Sequence, residues 1–171
     1  MAELVPKERL QPSLLDRLTD DEPDRAVESR DKRVLSPYRL RESVRRDLSW
    51  LFNTTNLGAS LDLERFPQVE SSTLNFGLPD LTGRTAGSIH IPTMEKLLRR
   101  AIWEFEPRLL KDTVRVKLIR DTNSFSPNAL VFTIEAELWA QPIPLRLFLR
   151  TDVDLETGEV AVTDASSGGN S

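Results

Sequence analysis

Leu40, Val44, Leu48, Leu51 and Phe52 fall at i, i+4, i+8, i+11 and i+12, which places them on one stripe of a helix. Ser36 offers an N-cap oxygen ahead of them, and Pro37 suits the first helical position. Asn53-Thr-Thr-Asn56 and Gly58 favour turns and a helix end. The spacing predicts a helix over 37–52. Met94, Leu97, Leu98, Ala101, Ile102 and Phe105 repeat at i, i+3, i+4, i+7, i+8 and i+11, which predicts a second helix over about 92–106. Trp103 lies half a turn from Met94, on the side of Lys96, Arg99 and Arg100. It either covers a second packing layer, such as the 37–52 helix, or stands as an exposed interface anchor in a basic rim.

After the tripeptide Glu106-Pro107-Arg108 the period changes from 3.6 to 2. Val114, Val116 and Leu118 alternate with Arg115, Lys117 and Ile119. Leu130, Phe132, Ile134, Ala136 and Leu138 alternate with Val131, Thr133, Glu135, Glu137 and Trp139. Leu145, Leu147, Leu149, Thr151 and Val153 alternate with Arg146, Phe148, Arg150, Asp152 and Asp154, and Val160 and Val162 close a short last strand. Residues 121–128 read as a loop, Gln141-Pro-Ile-Pro144 interrupts the ladder, and Asp154-Leu-Glu-Thr-Gly158-Glu reads as a hairpin turn. Strands in succession with short links pair antiparallel. Glu135 and Glu137 are placed to face Arg146 and Arg150 across strands, worth ~0.2–1 kcal/mol a pair. The pattern predicts an α+β domain over 35–163, with helices packed on one face of a four-stranded antiparallel sheet.

Residues 58–91 carry weaker signals. Ser72–Phe76 suits one or two helical turns stopped by Gly77, and Leu78 before Pro79 is pushed toward extended backbone. Residues 1–34 hold nine acids and seven bases with few large apolar side chains. They are expected to form a charged arm that is disordered alone. One island, Ser13-Leu-Leu-Asp-Arg-Leu18, suits a short helix with Leu14, Leu15 and Leu18 on one face. It either packs back on its own domain or folds into a partner's groove. The tail, 164–171, is expected to be disordered.

Composition narrows the function. The chain has 171 residues, a net charge of −4 and 29% charged residues, so nothing marks it as a nucleic-acid binder. No apolar run reaches the ~20 residues that span a bilayer, and the N-terminus lacks the apolar region of an export signal. No cysteine is present, and His90 is the single histidine, so thiolate and imidazole-cluster metal sites are not expected and no cofactor is implied. His90 sits between isoleucines and reads as a strand or core residue. Gly83-Arg-Thr-Ala-Gly87-Ser88 lacks the lysine and spacing of a phosphate loop. Glu104 and Glu106, two apart on a helix, point in different directions and cannot flank one glycosidic bond. No catalytic set emerges. Arg39, Arg41, Arg45 and Arg46 form either a solvated face or a contact for an acidic partner.

The corner is the most distinctive feature. Pro107 stops the helix, Glu106 can accept N–H groups, and Arg108 carries a planar fork that binds carboxylates bidentately. These groups serve either a partner contact or an internal salt bridge from helix to sheet.

Leu14-Leu-Asp-Arg-Leu18, Arg46-Asp-Leu-Ser-Trp-Leu-Phe-Asn-Thr54, Leu74-Asn-Phe-Gly-Leu-Pro-Asp-Leu81 and Phe105-Glu-Pro-Arg-Leu109 occur in this order. In that order the chain resembles the TssE family, type VI secretion baseplate subunits similar to the small wedge proteins of contractile phage tails. The resemblance covers about residues 13–163. It implies a non-enzymatic, cytoplasmic baseplate component of a membrane-docked bacterial assembly. It also implies that Glu106, Pro107 and Arg108 face the wedge subunits TssF and TssG, with TssK, the sheath subunits TssB and TssC and the hub protein VgrG as further partners. A sheet that receives sheath strands through an open edge would start sheath polymerisation. The family's former lysozyme-like label finds no support in the carboxylates.

Overall fold

The structure, a computed structural model, describes residues 13–19, 24, 36–119, 129–140 and 143–165. The arm outside 13–19 and 24, the 121–128 loop, Gln141-Pro142 and the tail beyond 165 lie outside the described residues.

Four α-helices and four strands are formed: α1 Leu14–Leu18, α2 Pro37–Phe52, α3 Pro67–Glu70, α4 Ile91–Phe105, β1 Arg115–Ile119, β2 Ala129–Leu138, β3 Leu145–Asp154 and β4 Val160–Asp164. α3 has no counterpart in the sequence reading, and the turns expected at Ser72–Phe76 are a single 3-10 turn over Thr73–Asn75. The sheet is antiparallel in the order β1-β2-β3-β4. Ser36 caps α2 through its side chain, which accepts from the Arg39 N–H at 3.2 Å. The whole predicted stripe of α2, Leu40 to Phe52, is buried, and α4 buries Met94, Leu98, Ala101 and Ile102. α2 lies against β3 and β4, and α4 against β1, so one face of the sheet is covered by helices. Phe132, Ile134, Leu138, Leu147 and Leu149 meet Leu48, Leu51, Leu98 and Ile102 in the core, each worth ~1.5–3 kcal/mol of burial.

The strand register corrects one expectation. Glu137 does stand opposite Arg146, but Glu135 stands opposite Phe148, and Arg150 opposite Thr133. Arg150 instead reaches Asp152 two residues along its own strand, at 3.1 Å. His90 is also not a core residue. It is exposed at the N-cap of α4, and its Nδ1 lies 2.8 Å from Thr93 Oγ1. The alternating Ile89-His90-Ile91 pattern misleads because Ile91 already begins the helix.

The irregular segment 53–81 is locked by backbone contacts. Leu78 N–H donates to the Thr54 carbonyl at 2.8 Å, and Asn56 N–H to the Leu78 carbonyl at 3.0 Å. Buried Asn75 accepts from Gly58 N–H and donates to the Glu70 carbonyl, both at 2.8 Å. Gly77 sits between them at φ +125°, and a Cβ there would lie 2.2 Å from the Thr54 carbonyl oxygen. This explains why Asn-Phe-Gly-Leu stands as a unit in the sequence: it anchors the segment that underlies Phe105. The rings of Phe76 and Phe105 meet edge-on, with centroids 5.3 Å apart.

The two margins of the sheet differ. At β4, Asn53 at the end of α2 donates to the Val160 carbonyl at 2.8 Å and accepts from Val160 N–H at 2.9 Å. Arg45 adds a 3.2 Å bond to the Val162 carbonyl. At β1, Glu95 of α4 takes Leu118 N–H at 2.9 Å. By the alternation of an antiparallel ladder, Val116 then also points its N–H and C=O outward. Among the described residues nothing bonds to these Val116 groups.

Candidate functional site

The corner between α4 and the sheet is built by three consecutive residues. Glu106 is the C-cap of α4 at φ −123°, ψ 78°, the extended side of backbone space that a following proline imposes. Pro107 has no N–H to extend the helix. Leu109 and Leu138 then form a bridge. Trp139 N–H donates to the Arg108 carbonyl at 2.8 Å, and Leu110 N–H to the Glu137 carbonyl at 2.9 Å. The corner is thereby stitched to the end of β2.

The two charged side chains of this corner turn inward, while Pro107 is exposed. Arg108 grips the buried Glu106 carboxylate with two donors, Nε at 2.7 Å and Nη2 at 2.5 Å. The same Nη2 reaches Asp47 Oδ2 at 2.5 Å, and Nη1 donates to Ser43 Oγ at 3.0 Å. Asp47 and Ser43 belong to α2, so one guanidinium ties α2, α4 and the sheet together. Burial of Arg108 disfavours its charge. The hydrogen bonds and charges of Glu106 and Asp47 more than offset this, and the guanidinium is held above its ordinary range. Of the two roles the sequence allows for Arg108, the internal tie is present in the isolated chain.

The charges continue outward. Asp47 Oδ1 accepts from Arg46 Nε at 2.9 Å, and Arg46 Nη1 donates to Asp16 Oδ1 at 2.6 Å. Five alternating charges, Asp16, Arg46, Asp47, Arg108 and Glu106, thus run from α1 across α2 to the corner. Arg46 also lies over the Trp50 ring, 5.0 Å from its centroid. Burial works to raise the pKa of Asp16. The bonds from Arg46 and Ser13 and the charge of Arg46 outweigh it, so its carboxyl is held below 3.8.

The structure therefore brings together candidates that are far apart in sequence. Leu15 of α1, Trp50 of α2 and Glu106-Pro107-Arg108 border one concavity of about 410 Å³, floored by Leu48, Leu51, Phe76 and Phe105. Leu14 and Leu18 do not line it and are exposed. Trp103 is not in this site. It is part exposed beside the 111–113 turn, its indole N–H donates to the Lys111 carbonyl at 2.9 Å, and Arg99 lies over its ring at 5.3 Å. It does not join the core. Asp47, Ser43, Asn53 and Glu95 are the residues that sequence reasoning missed. Each is a polar residue next to an apolar stripe, and no local pattern separates such residues from solvated ones.

The remaining chemistry is sparse. Glu104 bonds to Arg100 at 2.9 Å, which also holds Glu70 at 2.8 Å, while Glu106 turns to Arg108. The two carboxylates therefore face separate guanidinium groups and do not form a pair across one cleft. Among the described residues no group of His, Asp or Glu is placed to hold a metal ion, and no helix is long and apolar enough to cross a membrane. Of the arginines of α2, Arg45 serves Glu42 and the β4 margin, and Arg46 serves Asp16 and Asp47.

The chain is thus a small α+β unit whose corner is tied to α1 and α2 by one part-buried ion network. The chain belongs to the family of baseplate wedge protein gp25, whose profile matches residues 38–143, and it is thus a baseplate component. Three of the four segments that carry the TssE resemblance fall within the matched span. No curated protein and no solved structure matches the chain.

Proposed function

We propose that this protein is a non-enzymatic component of a type VI secretion baseplate that joins the wedge to the contractile sheath and helps start sheath assembly in the cytoplasm. Residues 35–163, extended by Asp164 at the end of β4, act as the wedge domain, with 1–34 and the tail after it as appendages. The corner side of the molecule meets TssF and TssG, with TssK in the same wedge and VgrG at the hub. The sheet meets TssB and TssC.

The observation that carries this reading is the asymmetry of the sheet margins. On β4, Asn53 pairs both groups of Val160 and Arg45 takes the Val162 carbonyl, whereas Val116 on β1 leaves both its N–H and its C=O unpaired among the described residues. An unpaired margin accepts an added strand, and the exposed Arg115 and Lys117 beside it discourage self-pairing.

The test is seeded assembly of purified TssB and TssC. The wild-type chain should shorten the lag before sheaths appear. Val116→Pro, which removes the outward donor while keeping the β2 ladder, should not seed. Its fold is checked by circular dichroism. A folded Val116→Pro that seeds like wild type would remove the β1 margin from the mechanism.

A further inference from the structure

One flank of α4 carries Glu95, Arg99 and Trp103 at i, i+4 and i+8. Its two ends are fixed along the line that leads into β1. The Glu95 carboxylate accepts from Leu118 N–H at 2.9 Å, and the Trp103 indole donates to the Lys111 carbonyl at 2.9 Å. Arg99 stands between them, over the Trp103 ring at 5.3 Å from its centroid. α4 therefore follows the β1 margin, and Val116 lies between the two anchor points.

An added strand pairs with the outward groups of alternate residues, here Val116 and Leu118. Glu95 already occupies the Leu118 donor, so an entering strand finds only Val116 until that carboxylate leaves. A new partner stands ready for it. Arg99 is four residues further along the same helix, the favoured order and spacing for an acid–base pair, and makes no ion pair among the described residues. Exchanging Leu118 N–H for Arg99 keeps the carboxylate partnered while the strand takes over the N–H.

The charges beside the margin give the chemistry of what enters. Arg115 and Lys117 are exposed on the solvent face of β1 and make no ion pair among the described residues. A strand laid against β1 places every second side chain beside these two. Acids at i and i+2 match them.

We infer that Glu95 is the gate of the β1 margin, and that the margin selects an extended segment with acidic side chains at alternate positions, which moves Glu95 from Leu118 to Arg99. This rests on the reading that β1 receives a sheath strand.

The test measures the concentration of full chain that halves the lag of purified TssB and TssC. Wild type is compared with Glu95→Ala, Glu95→Gln, Arg115→Gln/Lys117→Glu and Val116→Pro. Circular dichroism and thermal melts check that each is folded, and glutamine keeps an acceptor for Leu118 should alanine unfold the chain. Arg115 is neutralised and not reversed because Glu135 stands opposite it. Glu95→Ala should need about tenfold less chain than wild type, as expected when entry no longer breaks a charge-assisted hydrogen bond, and Glu95→Gln about threefold less. The Arg115/Lys117 variant should need about tenfold more. If Val116→Pro fails to seed while both Glu95 variants need as much chain as wild type, the gate is overturned and the strand-addition reading stands. If the Arg115/Lys117 variant seeds like wild type, the acidic segment is overturned. If Val116→Pro seeds like wild type, the strand-addition reading fails and takes the gate with it. If Glu95→Ala gains nothing in seeding but self-associates in sedimentation velocity, Glu95 guards against a second copy of this chain, which also overturns the proposal.

Discussion

Arg108 and Asp47 stand 61 positions apart and share a hydrogen bond of 2.5 Å, from Nη2 to Oδ2. Through it the corner of the sheet is fastened to the middle of α2. The same guanidinium neutralises Glu106, which is only 4% exposed and, among the described residues, is paired with no other cation. The stability of the corner and its geometry toward a neighbour therefore depend on one side chain.

Arg108→Ala should cost about 3 kcal/mol, the lower end for breaking a buried pair, because it strands the Glu106 carboxylate while Arg108 itself is only part buried. Glu106→Gln/Arg108→Met should recover most of that loss. Urea denaturation of the three proteins checks both statements. An Arg108→Ala midpoint equal to wild type would show that Glu106 finds its compensation elsewhere.

Docking of α1 should depend on pH below neutrality in one direction only. The Asp16 carboxyl is held below 3.8 when paired with Arg46, so the released helix takes up a proton more readily than the docked one. The contribution of the pair is complete above the unfolded value, near pH 4, and fades as the pH falls through the lowered folded value. The protection factors of residues 13–19, observed exchange divided into the intrinsic rate at each pH, should therefore fall under acid. Asp16→Asn should abolish that pH step, and a step that persists in the asparagine variant would assign the titration to another group.

Asn53→Ala should cost about 1–2 kcal/mol, since it removes one bond to each of the N–H and C=O of Val160. It should also leave β4 as a second unpaired margin. The expected signs are a lower melting temperature and self-association on concentration by light scattering. A destabilised variant that stays monomeric would show that α2 still shields the edge.

Gly77→Ala should be among the most damaging single substitutions, about 3 kcal/mol or more, because φ +125° and a 2.2 Å approach to the Thr54 carbonyl both oppose a Cβ. Gly83→Ala is the matched control: it has φ +75° but open space around it, and should cost about 1 kcal/mol. Equal melting temperatures for the two would mean that the segment 53–81 shifts to make room.

Both long helices, all four strands and the corner were legible along the chain, because a one-sided core writes its period into the positions that face it. Leu40 to Phe52 and the alternation from Leu130 to Leu138 are local patterns, and burial follows them directly. What folding alone decided was the pairing of polar groups. Asp47 looks like any helix acid until Arg108 arrives from the far end of α4, and Asn53 looks like a helix stop until Val160 comes beside it. The cross-strand partners of Glu135 and Arg150, the exposure of His90 and the outward-facing leucines of α1 are of the same kind. Apolar period depends on one element and its nearest layer. A hydrogen bond between side chains depends on the relative placement of two elements, and that is set only when the core between them has packed.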